Sequence, residues 1–214
     1  MPLSGSPTEL TTAATDAAMV LVCLVALRQL ARLRVSATWK RALWNWVLAL
    51  LGVASALGAV AHGLAWSEAV RAALWYPMYL LLGLSVTLFL AGAVYDWRGE
   101  ASARRVLPWA VGTGLGFFLL VELLGGAFVI FVVFETAAMV VALAIYRFLW
   151  ASGRLAGAGL VTVGIGLTIV AGAVQASDLS VRLILPFDHN GLFHLVQLFA
   201  TAVLLAGLRR GLER

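Results

Sequence analysis

The sequence predicts an all-α fold: a bundle of seven transmembrane helices, N-terminus outside and C-terminus in the cytoplasm. Three observations predict it. Of the 214 residues, 63% are hydrophobic and only 12% charged, with a mean hydropathy of +0.99, against about 25% charged in a typical soluble domain. The apolar residues come in seven blocks, each near the roughly 20 residues that a helix needs to cross a bilayer. The basic residues fall almost entirely in alternate connections between the blocks. With so little chain outside the blocks, residues 1–214 are expected to form one bundle without a separate soluble module. The single cysteine, Cys23, lies in an apolar run and has no partner for an intrachain disulfide.

The first block, 10–27, has Glu9 and Asp16 early and Arg28, Arg32 and Arg34 behind it. A signal peptide carries positive charge ahead of its apolar core, so this block reads as a retained helix that sends its N-terminus outward. The second runs over 42–64 and the third over 74–95. The stretch from Val106 to Phe148 is too long for one span, and Gly125-Gly126 divides it into helices over 106–124 and 127–148, joined by a tight turn. The sixth runs over 155–176. The seventh, 188–208, follows Pro186, a residue that suits a helix start.

With this topology, thirteen of the fifteen Lys and Arg residues face the cytoplasm, and only Arg71 and Arg182 lie outside. The expected setting is a bacterial inner membrane, with membrane lipids as surroundings. The net charge of +5 and pI near 10.1 are thereby accounted for. No basic stripe interleaved with aromatics marks a nucleic-acid partner. Trp44, Trp46, Trp66, Trp75, Trp97, Trp109 and Trp150 fall near predicted helix ends, as an aromatic belt requires. Gly58, Gly112, Gly116 and Gly166 are read as sites of close helix contact.

Ionisable groups inside a span cost about 2.5 kcal/mol or more at its centre, and so mark function by default. His62 ends the outward-running second helix, and His189 and His194 begin the inward-running seventh, so all three lie towards the outer face. Asp16 is followed by only eleven apolar residues before Arg28, which draws it into the membrane. Glu122, Asp178 and Asp188 also lie at the outer side, and Glu135 near the middle of the fifth helix. Asn190, His194, Gln197 and Thr201 share one face of the seventh helix; Ser55 and His62 share a face of the second, and Thr168 and Gln175 of the sixth. The plainer readings are an interfacial His62, a helix-capping role near His189, and cross-helix hydrogen bonds from protonated Glu122 and Glu135.

Three histidines with nearby carboxylates suit zinc, which takes three protein ligands and a water. The candidate ligands are His62, His189 and His194. Asp16, Ser55 and Asp188 are candidates for proton transfer or positioning, and Asn190, Gln197, Glu122, Glu135 and Gln175 for a polar network. These positions resemble the superfamily of seven-helix membrane hydrolases that includes alkaline ceramidases and adiponectin-type receptors. Its members carry a zinc-binding histidine late in helix two and a pair early in helix seven. His62 matches the first, and His194 in "FDHNGLFHLVQ" the second of the pair. The resemblance implies a zinc-dependent hydrolase of a lipid amide or ester. The sequence departs from that pattern at Asn190, where the pair spacing HxxxH requires histidine, and at Gly58, where the family has serine. It also has no aspartate in the outer half of helix three.

Two other classes stay open. Asp16, Glu122 and Glu135 could form the relay of a proton-coupled transporter, or the bundle could bind a lipid or protein without catalysis. A retinal Schiff base is set aside because the one lysine, Lys40, is placed in a cytoplasmic loop. A haem held by His62 and His194 has no second motif behind it.

Overall fold

The computed structural model describes residues 2–213. Among them seven helices follow in order: α1 Pro7–Arg32, α2 Thr38–Gly63, α3 Glu68–Arg98, α4 Glu100–Leu123, α5 Phe128–Ala151, α6 Ala158–Gln175 and α7 His189–Leu212. Each is long and apolar enough to cross a membrane. The protein is an integral, multi-pass, all-α membrane protein.

Most helices outrun their apolar blocks, and at α1 and α3 a side-chain cap rather than hydropathy marks the start. At α1, Ser6 accepts from the Glu9 amide at 3.4 Å and Pro7 occupies the first turn, a start that needs no apolar residue. Ser67 caps α3 in the same way, through the Val70 amide, so that the helix begins at Glu68, six residues ahead of the predicted start. The Gly125-Gly126 turn forms as expected, both residues taking positive φ (78° and 75°), a region open to glycine. Pro186 does not open α7. It pairs in a two-stranded hairpin, β1 Val181–Arg182 with β2 Pro186–Phe187, and α7 starts behind Asp188.

Helices α1, α2, α3, α5, α6 and α7 pack in succession into a closed ring, and α4 leans on α3 from outside. One rim of the ring gathers the N-terminus, the α2 end and the hairpin: Ser4 N–H donates to the Gly63 carbonyl at 3.0 Å, and Thr11 Oγ1 to that of Pro186 at 2.9 Å. We call this the N-terminal rim. The opposite rim is held by a buried cluster. Lys40 Nζ lies 2.5 Å from Asp96 Oδ1 and donates to the Gly211 carbonyl at 3.1 Å, while the Tyr146 hydroxyl donates to Asp96 Oδ2 at 2.8 Å. Lys40 is therefore not in a loop. It sits in the first turn of α2, only 3% exposed, and its cluster ties α2, α3, α5 and α7 together.

Two further expectations are corrected. Trp44 is not at an interface but 1% exposed in the core, edge-on to Phe89 at 5.2 Å; Trp46, Trp109 and Trp150 are exposed, as a belt requires. Of the four glycines read as helix contacts, Gly58 alone makes one, for a Cβ at Gly112, Gly116 or Gly166 would meet nothing within 4 Å. The close approaches occur elsewhere, as at Gly83, where a Cβ would lie 2.6 Å from the Phe117 ring of α4.

A polar cavity inside the helix ring

The seventh-helix stripe faces inward, as its spacing predicts. Asn190, His194 and Gln197 line a cavity of about 90 Å³ inside the ring, together with Asp16 from α1, Ser55 and His62 from α2, Glu135 from α5 and Gln175 from α6. Its remaining walls are apolar, among them Met19, Leu51, Met78 and Phe131. A second cavity of similar size lies against it, and Glu135, Gln197, Leu51, Leu82 and Phe131 line both. Thr168 and Thr201, the other polar members of the α6 and α7 stripes, face the second cavity.

Asp16 is the most enclosed acid of the first cavity, 4% exposed. Its Oδ1 lies 3.2 Å from His194 Nδ1. The contact is a charge pairing at ion-pair distance rather than an aligned hydrogen bond, and it sets a carboxylate beside the imidazole inside the cavity. The pair forms because α2 offers no side chain opposite Asp16: a Cβ at Gly58 would sit 2.5 Å from Oδ2. Gly58, where the resembling family has serine, is thus what admits the carboxylate.

The other predicted residues fall into separate groups. His62 Nδ1 meets Glu9 Oε2 at 2.7 Å, an acid that the sequence offered as an early charge on the first block and not as a site residue. Gln175 Nε2 donates to Asn190 Oδ1 at 2.5 Å. Asp188 caps α7, its Oδ1 accepting from the Gly191 amide at 3.0 Å, and His189 is the first residue of that helix. Neither lines the cavity, so the structure gives Asp188 a capping place rather than a catalytic one. Glu122 lines a different pocket, beside Tyr79. The cross-helix hydrogen bonds that the plainer reading gave Glu122 and Glu135 do not form: among the described residues neither carboxyl has a hydrogen-bond or ion-pair partner.

The donors do not assemble as zinc requires. Among the described residues no group of three or more His, Cys, Asp or Glu is placed to hold a metal ion. His62 and His194 instead pair with separate carboxylates, and His189 stays outside. What the two cavities do present is unpaired polarity: Asp16 Oδ2, Gln175 Oε1 and Gln197 Oε1 in the first, and Thr201 Oγ1 in the second, are buried without a protein partner. Leaving such an atom unpaired costs about 1–3 kcal/mol, so the geometry favours water or a polar ligand in contact with them.

A family model matches residues 11–213, from the second turn of α1 to the residue after α7. The chain belongs to the family of unknown function DUF6962. Among curated proteins and among solved structures, nothing matches it. The matched range holds every residue that lines the two cavities and the Lys40–Asp96 cluster, and leaves out Glu9, the partner of His62.

Sequence reasoning missed the Lys40–Asp96–Tyr146 cluster and Glu9. The available signal was length: once α2 and α3 extend beyond their apolar blocks, the one lysine and an aspartate fall inside helices.

Proposed function

We propose that the protein is a proton-coupled membrane transporter in which Asp16, His194 and Glu135 carry the proton. The observation behind this reading is the place of Glu135. Its unpartnered carboxyl lines both cavities, and Asp16–His194 stands in the first of them. Ionisable residues facing a bundle interior are the usual elements of proton relays. His194 Nε2 would take the proton, with Asp16 stabilising the cation, and Glu135 would receive it and hand it on towards the second cavity. The Lys40–Asp96–Tyr146 cluster closes the far rim, where a carrier needs a breakable barrier. Small polar solutes suit the unpaired amide and hydroxyl groups.

The test adds small polar solutes one at a time, because a coupled carrier moves protons only together with its solute. Vesicles reconstituted with the protein, loaded with a pH-sensitive dye and clamped with potassium and valinomycin, should collapse an imposed pH gradient faster than empty vesicles once a carried solute is added. Glu135→Gln, which keeps the shape and removes the titrating group, should abolish the excess rate. An undiminished rate in that variant would sink the relay.

A second reading is favoured by one observation: Ser55 lines the same cavity as the Asp16–His194 pair. An aspartate on Nδ1 of a histidine is how a general base is oriented, so the site would suit hydrolysis of a lipid amide or ester. Zinc enters this reading only if the histidines rearrange. Plasma mass spectrometry on detergent-purified protein separates the cases. About one zinc per chain, lost in both His62→Ala and His194→Ala, would favour the hydrolase.

A further inference from the structure

On the N-terminal rim, outside the helix ring, lies a larger pocket that the relay does not use. Its volume is about 420 Å³, within the range of about 300–1,000 Å³ usual for small-molecule sites. Trp75, Tyr76 and Tyr79 of α3 and Phe128 of α5 line it with Glu122 of α4. Trp75 stands 5.5 Å from both Tyr79 and Phe128, centroid to centroid, with ring planes inclined by 32° and 65°. The Tyr79 hydroxyl donates to the Gly126 carbonyl at 2.6 Å, which fastens the α4–α5 turn over the aromatic wall and holds Glu122 beside it.

The lining selects one kind of ligand. Aromatic faces carry negative charge density and attract cations. Glu122 adds the lining's only ionisable carboxyl, and among the described residues no Lys, Arg or His pairs with it. No basic side chain lines the pocket to hold an anion. A primary ammonium or guanidinium would need several acceptors to replace its lost water, and aromatic walls offer few. A quaternary ammonium makes no hydrogen bonds and loses least on entering.

We propose that the pocket formed by Trp75, Tyr76, Tyr79, Phe128 and Glu122 binds a quaternary ammonium group. The group can arrive on a free solute such as choline or on a choline lipid headgroup, since the pocket lies at the rim of the spans. The site shares the Trp75 and Phe128 rings with the wall of the first central cavity, but its acid, Glu122, lines neither central cavity.

Equilibrium dialysis of radiolabelled choline against protein in phosphatidylglycerol nanodiscs tests it, with tetramethylammonium as competitor and sodium as ionic-strength control. Saturable binding displaced by tetramethylammonium is expected. Glu122→Gln should weaken it about fivefold and Trp75→Leu about tenfold, whereas Glu135→Gln should leave it unchanged. Repeating the experiment in phosphatidylcholine nanodiscs identifies the source: choline binding lost there means the lipid headgroup occupies the pocket, and binding retained means a free solute does. Thermal unfolding of each variant separates lost binding from lost fold. Two results would overturn the proposal: no saturable binding to folded wild-type protein, or full affinity in a folded Glu122→Gln.

Discussion

Replacing Gly58 by alanine should break the Asp16–His194 pair without touching either residue. The added Cβ would lie 2.5 Å from Asp16 Oδ2, 2.9 Å from Cγ and 3.0 Å from Oδ1. Ordinary contact begins near 3.4 Å, so the carboxylate must retreat by roughly 0.9 Å. It has little room to do so, being 4% exposed and already 3.2 Å from His194 Nδ1. Overpacking of this kind costs about 1–3 kcal/mol, offset by up to about 1 kcal/mol because alanine favours helix over glycine. In an Asp16→Ala background the obstacle is gone, and Gly58→Ala should be neutral or stabilising. A double-mutant cycle on thermal unfolding in detergent should therefore return a coupling of about 1–3 kcal/mol. If Gly58→Ala has the same effect in both backgrounds, α2 does not press on the carboxylate and the account of the pair fails. The proton-flux assay supplies a second readout: Gly58→Ala should slow flux towards the rate of Asp16→Ala.

Three further outcomes follow from the packing. Lys40→Met should destabilise the fold by about 3–5 kcal/mol, because it leaves Asp96 buried without its cation; Lys40→Met combined with Asp96→Leu should recover part of the loss in a melting experiment. Asp188→Ala should cost about 1 kcal/mol through its lost cap and leave proton flux in the folded fraction unchanged. Abolished flux with wild-type melting would instead give Asp188 a chemical role. Gly166→Ala should stay within about 0.5 kcal/mol of wild type, whereas Gly83→Ala, aimed at the Phe117 ring 2.6 Å away, should lower the melting temperature clearly.

The helix count, the glycine turn and the inward face of α7 were legible in the sequence because each rests on a local rule. Lipid demands about 20 apolar residues per span, glycine takes positive φ freely, and residues three or four apart share a helix face. Asp16 was also legible, since eleven apolar residues are too few to cross the membrane beyond it. Helix ends were not: the caps Ser6 and Ser67 lie outside the apolar blocks, and α2 begins at Thr38, ahead of its block, with no side-chain cap to mark it. That error displaced Lys40 into a loop and left Asp96 without its partner.

The partners themselves belong to tertiary structure. His62, His189 and His194 share a depth in the sequence, but depth does not fix azimuth. Rotation of each helix in the ring decides that His62 meets Glu9, that His194 meets Asp16, and that His189 stays outside. Likewise nothing local distinguishes Gly58 from Gly166: one faces a carboxylate across an interface and the other faces open space. The sequence by itself determined a seven-helix membrane bundle with buried polar groups, because the bilayer imposes that reading residue by residue. Which groups meet was decided by helices pairing across long separations, where a single missing Cβ selects the neighbour.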